Sequence, residues 1–168
     1  DQSGAYLDLC GKRRHTIAFA ANYEAEPRIR IQAGSGQLDA QMTVTNLKRS
    51  PMELMYLAHV NFLPVDDAIL IDTASDEPDD VSVRVTLPPF FVPSQAHTDF
   101  INAVQENPTL HRHMVPGRAI DPEIVMAMHF KPDDSGWAHS MQLLPDGLAD
   151  FISHRLAYLP RGIRWITR

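Results

Sequence analysis

Cysteine occurs once, at Cys10, in 168 residues. That excludes an intrachain disulfide framework and a zinc site built on several thiolates. A reducing, cytoplasmic compartment is the simplest expectation, with Cys10 an inert, semi-buried residue. No apolar run approaches the roughly 20 residues a membrane-spanning helix needs, and no secretory signal is present, so no membrane partner is expected. Basic charge is also scarce: 15 Lys and Arg stand against 21 Asp and Glu, for a net charge of −6. The short cluster Lys12, Arg13, Arg14 does not reverse that balance, and nucleic acid is not an expected partner. Internal repeats and low-complexity tracts are missing as well.

What remains is an ordinary globular composition, 44% apolar and 21% charged, of a size that fits one domain over 1–168. Short alternating or apolar runs recur: RIRIQA (28–33), LDAQMTVTNL (38–47), MELMYLAHVNF (52–62), AILIDT (68–73), VSVRVTL (81–87), EIVMAMHF (123–130), WAHSMQLL (137–144), LADFISHR (148–155) and IRWITR (163–168). Turn signals separate them, namely GSG at 34–36, KRSP at 48–51, DEPDD at 76–80, KPDDSG at 131–136 and PDG at 145–147. The pattern predicts an all-β fold, an antiparallel β-sandwich, with one short helix. Thr98 is placed to cap that helix, in which Phe100, Ile101 and Val104 form a short apolar stripe ahead of Pro108. Because the chain begins on Asp1 and ends on a strand-like run, it is expected to be a piece of a longer protein.

The run 52–62 poses the functional question. As a strand it would carry Met52, Leu54, Tyr56, Ala58, Val60 and Phe62 on one face, and Glu53, Met55, Leu57, His59 and Asn61 on the other. The first face suits a core. The second turns polar at its end, as the floor of a cleft would; the alternative is that His59 and Asn61 are hydrogen-bonded partners in a packed interior.

Two blocks carry a family resemblance. VTNLKRSPMELMYLAHVNF (44–62) resembles the aldose 1-epimerase (galactose mutarotase) family, and DPEIVMAMHF through GWAHSMQLLPDG to LPRGIRWITR is similar to the uncharacterised DUF4432 branch of that superfamily. The resemblance covers about residues 38–168. It implies a β-supersandwich with a sugar in a cleft across one sheet, and anomer exchange by acid–base ring opening without a cofactor. His59 matches the family's general acid, which protonates the ring oxygen; an imidazole titrating near about 6.5 suits that step. The family's base, a Glu on a later strand, has no counterpart before the chain stops, and HVNF departs from the HxYFN usual in mutarotases. A sugar-binding or sensing module without turnover is therefore the second reading.

Other residues are weighed on their own patterns. Alternation puts Trp137, His139 and Met141 on one face, and Trp beside His can form a sugar platform, with core packing as the alternative for the indole. Asn61 joins them as a candidate sugar contact, and so does Asp67, which reads equally as a turn residue. His111 and His113 have the spacing of metal ligands, but no neighbouring carboxylate or thiol completes a set, so no metal is expected and the pair is read as an exposed helix end. Arg161 and Arg164 read as surface residues of a terminal strand. The expected partner is a small-molecule sugar; oligomeric state is not legible.

Overall fold

A computed structural model describes residues 4–84 and 90–168. The chain divides into two compact units, Asp1–His59 and Val60–Arg168. Both are built from antiparallel sheets, with a single α-helix among the described residues, so the fold is all-β. No described helix is long and apolar enough to cross a membrane.

The first unit is one four-stranded sheet of β1 (Tyr6–Cys10), β2 (Arg13–Ile17), β3 (Ala21–Gln32) and β4 (Leu38–Asn46). The long β3 lies in the middle. β2 pairs with its first half and β1 with its second, while β4 runs along its other side. Pro27 sits within β3, where a missing N–H would normally break a ladder. It is tolerated because the gap between β1 and β2 falls opposite it: the Gly11 N–H donates to the Pro27 carbonyl at 3.0 Å, and no strand residue there asks for the absent donor. β1 and β2 were not legible beforehand: RRHTI shows no apolar alternation, YLDLC alternates over only Leu7, Asp8 and Leu9, and both are held by pairing with β3.

Register separates the faces of this sheet. Asp8, Arg28 and Arg30 share one face, where Asp8 accepts from Arg28 Nη2 at 2.7 Å and Arg30 Nε at 2.8 Å. Lys12 is paired to Glu24 and Glu26. Leu7, Leu9, Ile29, Ile31, Leu38 and Met42 share the other face, each 38–60% exposed. Cys10 is exposed, not semi-buried as expected.

The expected strand at 52–62 does not form: residues 51–65 hold no regular element, and His59 is exposed there. Alternation fixes which side chains would share a face, but a strand also needs a ladder partner, and among the described residues no strand pairs with this run.

The second unit contains two three-stranded sheets, β10 (Gly162–Ile166)–β7 (Ile124–Met128)–β6 (Val81–Val83) and β5 (Ile69–Asp72)–β8 (Trp137–Leu143)–β9 (Ala149–Arg155). Residues 85–87 of the expected strand 81–87 lie outside the described residues. Val81, Val83, Ile124, Met126, Met128 and Ile166 occupy one face of the first sheet and make its core together with Ile101 and Val104 of α1 (Gln95–Glu106). The helix starts earlier than predicted. Ser94, not Thr98, is the cap, its hydroxyl accepting from the His97 N–H. The reason is that His97 is itself buried and extends the stripe to 97, 101 and 104. Gly162 is required by close approach, because a side chain there would overlap the Phe130 ring.

Arg164 points to the same side of its sheet as this core, contrary to its reading as a surface residue. Its Nη2 donates to Asp72 Oδ2 at 2.6 Å, and Arg112 Nη2 reaches Asp72 Oδ1 at 3.0 Å. The Asp72 side chain is 0% exposed. Burial alone would raise its carboxyl pKa, but Arg164 and Arg112 together hold it below the usual value. His111, expected at an exposed helix end, is 1% exposed and its Nε2 accepts from Arg164 Nη1 at 2.7 Å. Burial, reinforced by Arg164 and Arg112, pushes its imidazole down to about 4.

Asp72→Asn removes the anion from between two guanidiniums. It is expected to cost about 3–5 kcal/mol of stability, the range for breaking one side of a buried pair, measured by denaturant unfolding. For His111 the folded pKa lies below the unfolded value of 6.5, so the unfolded chain takes up the proton first. Its contribution is complete above pH 6.5 and is lost as pH falls towards about 4. Unfolding free energy should decline there with a slope of up to about 1.4 kcal/mol per pH unit, and His111→Gln should flatten it.

Candidate functional site

Strand pairing in the β5–β8–β9 sheet determines which side chains meet on its two faces. Trp137 lies opposite Arg155, His139 opposite Ser153, Met141 opposite Phe151 and Ile71, and Leu143 opposite Ala149 and Ile69. Ala138 (0%) and Gln142 (2%) belong to the opposite, inward face. The first face is open: Phe151 is 50% exposed, and Trp137, His139 and Ser153 are half-buried. The alternation read from WAHSMQLL is therefore realised, and Trp137 is not part of the core cluster.

A polar chain crosses this face. His139 Nδ1 lies 2.9 Å from Ser153 Oγ, and its Nε2 lies 3.1 Å from Asp133 Oδ2. Asp133 closes the loop before β8, accepting from the Trp137 N–H, the Ser135 N–H and the Ser135 hydroxyl, each at 2.9 Å. The Trp137 amide, the His139 ring and these further donors hold its carboxyl pKa well below the usual carboxylate range. An ionised Asp133 only accepts, so Nε2 carries the imidazole proton, and Nδ1 is left to accept the Ser153 hydroxyl. The Phe151 ring stacks on His139 with centroids 5.7 Å apart and planes at 16°. At the other end the Arg155 guanidinium lies 4.6 Å from the Trp137 ring centroid and donates to the Ser135 carbonyl at 2.6 Å.

The other predicted site residues do not join this face. Asp67 precedes β5 at the end where Ile69 pairs with Leu143, whereas His139 and Trp137 lie towards the opposite end of β8. It occupies a turn with φ of 61°, and its carboxylate lies 3.7 Å from His113 Nε2. Asn61 is exposed in the irregular segment, and His59 belongs to the first unit. Ser153, Phe151, Arg155 and Asp133 were missed from sequence, although a signal existed: a five-residue loop around PDG sets the β8–β9 register and puts 151, 153 and 155 beside 141, 139 and 137. Among the described residues no group of three or more His, Cys, Asp or Glu is placed to hold a metal ion. No family model, curated protein or solved structure matches the chain.

The hydrogen-bond chain makes a direct prediction. Nitrogen NMR of the imidazole should show His139 with the proton on Nε2 at neutral pH, and Asp133→Asn should reduce that tautomer's dominance. A majority of Nδ1–H in the wild type would contradict the geometry.

Proposed function

We propose that the second unit binds a carbohydrate on the open face of β8 and β9. The observation that carries this reading is the row Trp137, His139 and Phe151, three rings on one exposed face, edged by the Ser153 hydroxyl, the Asp133 carboxylate and the Arg155 guanidinium. A pyranose has an apolar C–H side that packs on aromatic faces and a rim of hydroxyls that needs donors and acceptors, and this surface supplies both. The resemblance to sugar-converting enzymes points the same way.

Of the two sugar readings, binding without turnover is the one we adopt. Ring opening needs an acid and a base poised on one substrate, and both His139 nitrogens are already engaged within the protein. Aldose 1-epimerase chemistry with His59 as the acid is the finer proposal, resting on the resemblance alone.

Titration with a panel of monosaccharides and short oligosaccharides, followed by tryptophan fluorescence and calorimetry, tests the binding. At least one should bind the wild type, and Trp137→Ala or Phe151→Ala should weaken it by roughly tenfold or more, equivalent to about 1.4 kcal/mol. Absence of saturable binding across the panel would remove the proposal. Anomeric proton exchange followed in the same samples reports turnover, and acceleration lost in His59→Asn would restore the enzymatic reading.

A further inference from the structure

We propose that Glu53–His59 adds to the open edge of β4 as a fifth strand of the first unit's sheet, antiparallel to Asp39–Thr45, and thereby brings His59 opposite Asp39. This second arrangement of the segment is independent of the carbohydrate reading of the second unit.

Three observations converge on it. Among the described residues β4 pairs with β3 alone, so its other edge presents N–H and C=O groups ready to accept a strand. The chain is already turned at the end of that edge. The Lys48 N–H donates to Asn46 Oδ1, and Asn46 Nδ2 donates to the Ser50 carbonyl, both at 2.9 Å, which keeps Ser50 beside the last residue of β4. The segment that follows is the one whose alternation predicts a strand, and as it stands its Leu54, Met55, Tyr56 and Leu57 are 50%, 99%, 47% and 63% exposed.

Matching the faces selects the register. Leu38, Ala40, Met42 and Val44 of β4 share the apolar face of the sheet, and Leu54, Tyr56 and Ala58 form the apolar side of the incoming run. Partners directly opposite each other lie on the same face, so even residues must oppose even residues, and a slip by one would put Leu54 and Tyr56 among the charges. A five-residue loop, 47–51, meets that condition and keeps Pro51, which has no N–H, out of the ladder. Val44 then meets Leu54, Met42 meets Tyr56 and Ala40 meets Ala58, which widens the apolar face. On the charged face Thr43 meets Met55, Gln41 meets Leu57 and Asp39 meets His59. Asp39 and Gln41 already line a shallow cleft with Arg28 and Arg30. The added strand would complete that cleft with an imidazole beside a carboxylate.

Disulfide trapping tests the register in the full chain. In a Cys10→Ser background, Thr43→Cys is combined in turn with Glu53→Cys, Met55→Cys, Leu57→Cys and, as the opposite-face control, Tyr56→Cys. Each pair is then oxidised in a glutathione buffer under native conditions. Only directly opposed residues have the roughly 4.5–5.5 Å Cα separation that a disulfide spans, so the 43–55 pair should close roughly tenfold or more faster than the others. Equal rates, or no closure, overturn the proposal; fastest closure of 43–53 or 43–57 overturns the pairing of Asp39 with His59. Hydrogen exchange on the unaltered chain needs no substitution. In this register the amides of Leu54, Tyr56 and Ala58 face β4 and should exchange roughly tenfold or more slowly than those of Arg49 and Ser50 in the loop, and equal exchange overturns the added strand.

Discussion

A carboxylate removed from water has to be met by cations, and Asp72 meets two. Arg164 comes from β10 in one sheet of the second unit, Arg112 comes from the 3-10 turn Pro108–Arg112, and Asp72 ends β5 in the other sheet. Three separate elements are thereby tied to one fully enclosed side chain. Such a cluster is weak evidence of net stability, because desolvation offsets much of the attraction; its leverage lies in the cost of a wrong arrangement, which would strand a charge in the interior. Arg112 also reaches Asp76 and the Leu70 carbonyl, and Arg164 draws in His111, which has to stay neutral to accept from it. The network therefore fixes the edge strand β5, against which β8 is paired.

From β8 the open face follows by register. Once β8 is paired on one side with β5 and on the other with β9, the alternation of side chains commits Trp137, His139 and Met141 to the face away from Ala138 and Gln142. Gln142 strengthens that commitment from the inner side, donating to the Leu63 carbonyl and to Asp150. Asp133 then determines the proton on His139, because its donors keep it anionic and a carboxylate without a proton only accepts. The sequence of causes runs from a buried charge, through strand register, to the tautomer of an exposed imidazole.

Much of the second unit was legible because period-two alternation and turn chemistry act locally: β7, β8, β9 and β10 lie where their runs predicted. What escaped depended on distant partners. Arg164 looks like any terminal arginine until Asp72, 92 positions away, is brought against it, and His111 looks exposed until that same arginine covers it. Ser94 was passed over because His97 was not counted among the apolar positions of α1. The open-face residues Trp137 and His139 were found through alternation, whereas their partners Ser153 and Asp133 required the hairpin register and the loop geometry.

The two units differ in where their apolar side chains end up. Among the described residues the second encloses a cluster of eleven core residues, whereas none of the first is buried. Its sheet is held by backbone pairing and by the ion pairs around Asp8 and Lys12, which lie in reach of water and are individually weak. Leu7, Leu9, Ile29, Ile31, Leu38 and Met42 meanwhile remain on one uncovered surface. A sheet with a hydrophobic face gains most of its stability when that face is packed. The unrealised burial of the first unit is thus concentrated on one side of one sheet, and a charge placed among those six positions would oppose any layer laid there.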